Sequence, residues 1–344
     1  MDQIGFFLNA SREISDENLI ALAKQADDLG YHSFWTGESW GRDAFTVLTM
    51  VACNTDNLRV GTGIVTTFSR TPALIAQTIA SLDILSKGRA ILGLGSSGKV
   101  VVEGWHGVPF ESPIARTREY IEIIRKALTG NRVDHQGKFY QMERFRMISP
   151  PVQNKVPIYM ASLGPKNLAL TGENADGCLP IWVNRERFPE LREQISVGAA
   201  KSGRKVSDIT IAPYIFCYTA NGPDDLAHGE QLLRAHMAYY VGGMGTFYFD
   251  SVSRAGFNTE AKAIKNSWES GDREQAARDV SDRMLQSIVV LGDAQQCRDQ
   301  INAFRKAGVD LPIINFPHGT ELPTISRTIA ALAPKRNNIS QSLI

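Results

Sequence analysis

The stretch GLGSSG at positions 93–98 has the G-x-G-x-x-G spacing with which a tight turn approaches a dinucleotide pyrophosphate. In a dinucleotide-binding fold this turn follows the first strand, and its last glycine lies at the start of a helix. Here the turn follows the fourth predicted strand, and Gly98 is followed by KVVVEGWHGVPF. The β-branched residues, glycines and proline of that segment predict that no helix begins there. The sequence therefore predicts a glycine-lined surface that a flat ligand approaches closely, in place of a dinucleotide site.

Further candidate residues lie in the loops that follow the other predicted strands. They are mostly hydroxyl groups, glycines and aromatic rings, a composition that suits a large flat heterocycle. Glu38 is predicted to be an acid, a base or an orienting group, with His106 or Glu103 as second choices. A solvated carboxylate at Glu38 and core packing of the loop tryptophans stay open as alternatives. The other predicted site residues are, for the heterocycle, Gly63, Ile64, Val65, Thr66, Ser96, Ser97, Gly98, Ser162, Leu163, Gly164, Pro165, Lys166 and Asn167, and, for the substrate side, Asn9, Ser39, Trp40 and Trp105.

The segment SLGPKN at positions 162–167 predicts a phosphate site. Gly164 and Pro165 begin a predicted helix. The free N–H groups and the dipole at a helix N-terminus attract an anion, and Lys166 adds a positive charge. An ordinary capped turn is the alternative at this position.

About eight short β-rich runs alternate with amphipathic helical segments along the chain. This alternation predicts an α/β fold with a parallel sheet, and eight such units fit a closed (β/α)8 TIM barrel better than an open sheet. Chemistry in such a barrel lies in the loops after the strands. Residues 132–156 and 223–288 are predicted to be insertions, the first hairpin-like and the second mostly helical. Residues 1–334 are predicted to form one domain, and residues 335–344 a C-terminal tail.

The composition argues against several classes of protein. The 344 residues carry 37 basic and 36 acidic side chains, a net charge of +1, so no nucleic-acid partner is expected. No apolar run reaches the roughly 18 residues of a membrane span, and the N-terminal residues lack signal-peptide features. Cys53, Cys178, Cys217 and Cys297 form no CxxC pair, which predicts buried thiols in a reducing cytoplasm. The six histidines lack metal-ligand spacing, so no metal site is expected.

Three long stretches of the chain resemble the luciferase-like flavin and deazaflavin oxidoreductases. They lie at residues 59–98, at residues 156–177 (VPIYMASLGPKNLALTGENADG) and at residues 209–220 (ITIAPYIFCYTA). Within this family the chain is most similar to the branch that uses coenzyme F420, which includes methylenetetrahydromethanopterin reductase. The resemblance implies hydride transfer between C5 of the deazaflavin and a small organic substrate.

The resemblance also implies where the cofactor binds. The third strand of the F420-using relatives carries a bulge with a non-prolyl cis peptide behind the deazaflavin ring, and here this bond would join Gly63 and Ile64. The phosphate of the cofactor tail would lie at residues 164–167, and the 93–98 turn would flank the ring.

Three positions differ from those relatives. Ser39 replaces a histidine beside the acidic Glu38, and Gly98 stands where some alcohol-oxidising relatives have a carboxylate. Phe7 stands where the methanopterin reductases have an acidic residue on the first strand. The resemblance therefore implies the cofactor and leaves the substrate open.

Two other functions stay open. One is an FMN-dependent monooxygenase that uses oxygen and reduced flavin from a separate reductase. The other is a non-catalytic flavin-binding protein, because one fold can carry unrelated functions. The F420-dependent function requires a small-molecule substrate and a separate enzyme that reduces the cofactor. A homodimer is expected by analogy with the relatives.

Overall fold

The structure is a computed structural model, and it describes residues 3–10 and 13–334. The described part contains short strands that alternate with helices, as the sequence predicts. The strands are β1 (Gly5–Phe7), β2 (Ser33–Thr36), β3 (Arg59–Thr62), β4 (Val65–Thr66), β5 (Ala90–Gly95), β6 (Val133–Gln136), β7 (Gln141–Phe145), β8 (Ile158–Met160), β9 (Gly177–Cys178), β10 (Thr210–Ile211), β11 (Tyr214–Thr219), β12 (Val290–Gly292) and β13 (Ile313–Asn315).

Several of the helices begin at capping side chains that the sequence offers. The Thr71 side chain accepts a hydrogen bond from the Leu74 N–H at 3.2 Å, and Pro72 occupies the first helical position. The α-helices are α1 (Asp16–Asp28), α2 (Ala44–Cys53), α3 (Pro72–Leu85), α4 (Lys99–Gly104), α5 (Pro113–Leu128), α6 (Pro165–Asn174), α7 (Phe188–Lys201), α8 (Pro223–Ala238), α9 (Thr246–Val252), α10 (Asn258–Glu269), α11 (Arg273–Arg278), α12 (Asp282–Ile288), α13 (Ala294–Lys306) and α14 (Leu322–Ala331).

One large sheet contains all of these strands except β6 and β7. Its strands pair in the order β10-β9-β8-β5-β3-β2-β1-β13-β11-β12, with β4 beside β5, and the pairs are parallel. The pairing confirms the predicted α/β class and parallel sheet. The sheet is curled, because residues of distant strands such as Trp35, Ile91 and Tyr214 meet in one cluster on its inner face.

Two hydrophobic layers follow from this curvature. The main core lies between the sheet and the helices around it, and it includes Leu19 of α1, Ile79 of α3 and Ile124 of α5. The inner cluster comprises Trp35, Ile91, Tyr159, Leu179, Ala212, Tyr214, Leu311 and Ile313. Because side chains alternate between the two faces of a strand, strands such as β2 and β5 contribute to both layers.

The two predicted insertions have the expected local structure. Strands β6 and β7 form a separate antiparallel hairpin within residues 132–156. Residues 223–288 form helices α8 to α12, with two π-helical turns at Tyr239–Gly243 and Ser253–Phe257. This second segment builds a hydrophobic cluster of its own, to which Trp182 and Phe216 of the sheet region contribute.

The structure corrects two sequence predictions. A short helix, α4, begins directly after Gly98, where no helix was expected. Val101 and Val102 are buried, so tertiary packing outweighs the low helix propensity of the β-branched residues. The thiol of Cys53 is exposed, whereas the other three cysteines are buried as expected.

Two further observations concern the described residues as a whole. None of their helices combines the length and apolar character required to traverse a lipid bilayer. Within the same ranges, no three His, Cys, Asp or Glu side chains form a group that could hold a metal ion. The predicted tail at 335–344 lies outside the described residues.

Candidate functional site

The carboxyl ends of the parallel strands carry an apolar floor formed by three half-buried side chains, Phe7, Ile64 and Ile181. All three pack on the inner cluster from the side of the strand ends. The peptide bond between Gly63 and Ile64 is cis, at the position that the family resemblance implies. The floor therefore presents apolar side chains from the ends of three separate strands next to the Gly63–Ile64 peptide, a surface that suits a flat ring.

Close packing under this floor requires glycine at position 63. A Cβ atom on Gly63 would lie 2.4 Å from the Tyr214 hydroxyl oxygen and 3.1 Å from the Phe7 ring. Phe7 and Tyr214 meet edge to face, with ring centroids 5.2 Å apart. The Tyr214 hydroxyl is buried and has no hydrogen-bond partner in residues 3–10 and 13–334. Burial raises the pKa of Tyr214 well above its usual range, so this hydroxyl stays protonated.

Glu38 is fixed beside the floor by an ion pair with Arg70. Arg70 binds both carboxylate oxygens, with a distance of 3.1 Å between Nη2 and Oε2, and also pairs with Asp43. Oε2 of Glu38 accepts a second hydrogen bond, from the Ala44 N–H at 3.2 Å. Hydrogen bonding to Glu38 raises the pKa of Arg70. Because every carboxylate oxygen already has a donor, the arrangement favours an orienting role for Glu38 over proton exchange.

The Glu38 loop also touches the floor directly. Its backbone N–H donates to the Ile64 carbonyl oxygen at 3.3 Å. A Cβ atom on Gly37 would lie 2.6 Å from the Gly63 carbonyl oxygen, so the two loops approach too closely for a side chain. The structure thus brings together the residues predicted after the second and third strands.

The turn after β5 forms one side of the candidate site. Thr66 donates its hydroxyl hydrogen to the Ser96 carbonyl oxygen at 3.3 Å, which ties this turn to the residues after the floor. Ser97 has a positive φ of 58°, and a Cβ atom on Gly98 would meet no atom within 4 Å. Space is therefore open next to the backbone where the sequence predicts a glycine-lined surface. Val65, in contrast, is buried in the main core and presents no side chain to this space.

The second-choice acid, Glu103, folds back on its own loop. It accepts a hydrogen bond from the Phe110 N–H at 3.2 Å and lies 3.6 Å from the Lys99 ammonium group. His106 is half-buried, and Trp105 is 62% exposed at the end of α4. Asn9, Ser39 and Trp40 are also exposed, so all four predicted substrate-side residues are accessible.

The predicted phosphate site lies at the start of α6. The Asn167 and Leu168 N–H groups point back to the Gly164 carbonyl oxygen, at 3.0 and 2.9 Å. A Cβ atom on Gly164 would meet no atom within 4 Å, and the Lys166 side chain is exposed. Ser162 instead faces inward, with its hydroxyl oxygen 2.7 Å from that of Thr171. The Asn167 and Leu168 N–H groups are therefore already bonded within the helix, whereas the space at Gly164 and the exposed Lys166 side chain are open to an anion. The Ser162 hydroxyl is not open, because it faces Thr171.

Sequence analysis missed a group of stacked rings at the ends of β9, β11 and β13. Its two histidines, His236 and His318, have ring centroids 4.6 Å apart. The Trp182 and Phe216 rings stack 4.3 Å apart at 15°. We call this group the histidine–aromatic cluster; it comprises Trp182, Phe216, His236, Tyr240, Tyr248 and His318. The positions of Trp182 and His318 directly after predicted strands could have suggested it.

The chain belongs to the luciferase-like monooxygenase family, whose model matches residues 5–311. A protein of Mycobacterium tuberculosis named as a coenzyme F420-dependent oxidoreductase is 33% identical over 334 residues, covering 92% of this chain and 94% of that protein. The 5,10-methylenetetrahydromethanopterin reductase of Methanolobus tindarius is 31% identical over 300 residues, covering 86% and 89%.

A solved structure agrees with these sequence similarities. The coenzyme F420-dependent tetrahydromethanopterin reductase from Methanopyrus kandleri superposes with a TM-score of 0.83 at 26% identity. The superposition covers 96% of this chain and 98% of that structure. The predicted resemblance to luciferase-like oxidoreductases is therefore confirmed, and two of these three similar proteins are named for coenzyme F420.

Proposed function

We propose that this protein is a coenzyme F420-dependent oxidoreductase that transfers a hydride between the deazaflavin and a small organic substrate. The observation that carries the proposal is the floor of Phe7, Ile64 and Ile181 beside the cis Gly63–Ile64 peptide. The names of the Mycobacterium tuberculosis and Methanopyrus kandleri proteins support F420 as the cofactor.

We also infer that the curled sheet closes into an eight-stranded barrel. The run from Thr210 to Thr219 pairs with β9 at its start and with β13 at its end. The Ala212 N–H donates to the Cys178 carbonyl oxygen at 2.8 Å, and the Ile313 N–H donates to the Pro213 carbonyl oxygen at 2.9 Å. Since β13 pairs with β1, the ring β1, β2, β3, β5, β8, β9, β10–β11 and β13 has no free edge. The eight ends would then surround one mouth.

The residues present fit a deazaflavin with a phosphate-bearing tail. The open space at Gly98 and Gly164 lies where the ring edge and the tail phosphate would approach the backbone. Ile64 and its neighbours would support one face of the ring, and the N-terminus of α6 would hold the phosphate through the helix dipole and the Lys166 side chain. When bound, coenzyme F420 supplies two-electron hydride chemistry at C5.

The protein's own residues would position the reactants and exclude water. Arg70 holds Glu38 against the floor, so that Glu38 orients the reactants at the ring edge. Trp40 and Trp105, both exposed beside the mouth, would cover the substrate side. His106, whose carboxylate neighbour Glu103 is already paired, is the remaining candidate to hold or move a proton at the substrate.

The test is to titrate the purified protein with F420 and with FMN in parallel. We expect quenching of F420 fluorescence on binding, and weaker or no binding of FMN. Reduced F420 should be reoxidised when a substrate is present, without oxygen. Failure to bind F420 would refute the proposal.

An FMN-dependent monooxygenase is the second candidate, because the matching family model is described as a luciferase-like monooxygenase. It would consume oxygen when supplied with reduced FMN. Oxygen uptake with reduced FMN, together with absent F420 binding, would favour this candidate.

We further propose that the protein is a homodimer that receives reduced cofactor from a separate enzyme in the cytoplasm. Exposed apolar side chains on α3, namely Leu74, Ile84 and Leu85, support an interface there. Light scattering of the wild type and of Leu85→Glu measures the mass of the particle in solution. A monomeric wild type would refute the dimer.

We also propose that residues 1–334 form one domain, because all strands except β6 and β7 belong to one sheet.

A further inference from the structure

The histidine–aromatic cluster adjoins the proposed ring site at two points. Trp182 directly follows Ile181 of the floor. Phe216 lies two residues beyond Tyr214 on the same face of β11, and the Tyr214 hydroxyl lies under Gly63. At roughly 3.3 Å per strand residue, Phe216 is about 7 Å closer to the mouth than Tyr214. The cluster therefore stands beside any molecule that lies on the floor.

Two buried polar groups at the end of β9 have no hydrogen-bond partner in the described part of the chain. They are the Trp182 indole N–H and the Asn184 side-chain oxygen, on residues that are 2% and 6% exposed. One is a donor and the other an acceptor, and only one residue separates them. Buried polar groups are normally paired, so this pair points to a ligand that carries both an acceptor and a donor.

The cluster offers flat faces and neutral groups. His236 accepts a hydrogen bond at Nδ1 from the His318 N–H at 3.1 Å, so in its neutral form the hydrogen is on Nε2. Burial, with a smaller contribution from His318, lowers the pKa of His236 to about 3, so the ring is uncharged at neutral pH. In residues 3–10 and 13–334, the cation–ring contacts involve other aromatic rings and none of these six.

A π-helical turn contributes the remaining faces. Tyr240 lies in the turn Tyr239–Gly243 and stacks on His236 at 5.3 Å, while Tyr248 meets it edge-on at 4.8 Å. Trp268 packs against this turn so tightly that a Cβ atom on Gly242 would lie 2.6 Å from it. This packing holds the rings in place. π-Helical turns occur frequently at functional sites.

We propose that the histidine–aromatic cluster is the substrate-recognition wall, and that it selects an uncharged, flat, conjugated carbonyl compound with a neighbouring N–H or O–H group. The Trp182 indole donates to the carbonyl oxygen, and the Asn184 side-chain oxygen accepts from the N–H or O–H. We expect anionic substrates such as sugar phosphates to be disfavoured, because none of the cation–ring contacts within residues 3–10 and 13–334 involves these six rings. This inference deepens the proposed function and rests on it.

The probe for this wall is isatin, a flat uncharged ketone with an adjacent amide N–H. Isothermal titration calorimetry would measure isatin binding to the F420-loaded protein and to the cofactor-free protein. N-methylisatin lacks the hydrogen that Asn184 accepts, and isatin-5-sulfonate adds a negative charge. We expect N-methylisatin to bind about five- to tenfold more weakly than isatin, the effect of losing one neutral hydrogen bond. Isatin-5-sulfonate should bind at least about a hundredfold more weakly, the effect of burying an unpaired charge.

The variants Trp182→Phe and Asn184→Leu remove one polar atom each and keep most of the volume. Trp182→Phe should weaken isatin by about five- to tenfold. Asn184→Leu should bind isatin and N-methylisatin equally, because the hydrogen bond that distinguishes them is gone. Asn131→Ala, at an exposed asparagine in the turn after α5 that has no part in the proposed site, is the matched control and should leave isatin binding unchanged.

The turnover readout is separate from binding. A hydride from C5 of reduced F420 would form the new C–H bond at the C3 ketone carbon of isatin, and water would supply the proton on its oxygen, so that F420 becomes oxidised. Equal binding of isatin, N-methylisatin and isatin-5-sulfonate by the wild type, or no binding of isatin, would overturn the inference whether or not a variant folds. The protein could instead fail to bind F420 and still bind isatin more tightly than the other two probes. That result would overturn the proposed cofactor and leave the substrate-recognition wall supported.

Discussion

The contact between Gly63 and the Tyr214 hydroxyl gives a prediction that tests the floor itself. In Gly63→Ala the added Cβ would lie 2.4 Å from that oxygen and 3.1 Å from the Phe7 ring. Carbon atoms in good contact are about 3.5–4.0 Å apart, so the surrounding side chains must move. Overpacking of this kind costs about 1–3 kcal/mol of unfolding free energy. We therefore expect Gly63→Ala to be destabilised by about 2 kcal/mol.

The partner change is Tyr214→Phe, which removes the hydroxyl that the new methyl group meets. This hydroxyl is buried without a partner in the described residues, and such a group costs about 1–3 kcal/mol. Tyr214→Phe should therefore stabilise the cofactor-free protein by about 1 kcal/mol. The double variant should recover most of the loss, giving a coupling energy of about 1–2 kcal/mol.

Urea denaturation of the four proteins measures this cycle, with F420 titration of each as a second readout. Gly41→Ala is the matched control, because a Cβ atom there meets no atom within 4 Å and φ lies outside the positive range. It should change the unfolding free energy by less than about 1 kcal/mol. Additive effects of the two floor variants, or a loss of stability in Tyr214→Phe alone, would show that the hydroxyl has a partner and that the packing described for the floor is wrong.

Three further predictions concern the surroundings of the floor. Arg70→Met leaves the Glu38 carboxylate without its cation and should lower the unfolding free energy by about 2–3 kcal/mol in urea denaturation. Glu38→Gln should lower it less, because Arg70 still pairs with Asp43. Equal losses in the two variants would contradict this reasoning. Lys166→Met should weaken F420 binding about fivefold at low salt. Fluorescence titrations should show that the difference in affinity between the variant and the wild type becomes smaller in about 1 M salt. A difference in affinity that does not depend on salt would exclude a charge effect. His236 is neutral in the fold, with a pKa of about 3, whereas its value in the unfolded chain is near 6.5, so its contribution to stability is lost as pH falls below about 6.5. From pH 7 to pH 5 the unfolding free energy of the wild type should therefore fall by about 2 kcal/mol more than that of His236→Gln. Equal losses in the two proteins would place His236 in contact with water.

Local signals in the sequence predicted the elements well, because those signals act over a few residues. The alternation of strands and helices predicts the parallel sheet, and Thr71 with Pro72 predicts the start of α3. The exception is α4, where the local signal was read correctly and tertiary burial of Val101 and Val102 outweighed it.

The candidate site was only partly predictable, because its contacts join residues that are far apart in the sequence. Glu38 stood out as a loop carboxylate, but nothing in its neighbourhood indicates that Arg70 binds both oxygens. Tyr214 lies within a strand-like run, where a buried aromatic ring is ordinary packing. Only the register that places it under Gly63, about 150 residues earlier in the chain, gives its hydroxyl a special position.

The unpaired buried polar groups show why these distant residues belong to one site. Thr36, at the end of β2, has a buried hydroxyl without a partner in the described residues, and its carbonyl oxygen accepts from the Gly63 N–H at 2.7 Å. Tyr214 lies under the same glycine, and Trp182 follows the third floor residue. Each such group lowers stability. The same feature occurs elsewhere in the described residues, on Arg116 and His135, so unpaired atoms alone do not mark a site. Near the floor, a ligand that supplies the missing partners would recover the stability lost in the free protein as binding energy and specificity in the complex.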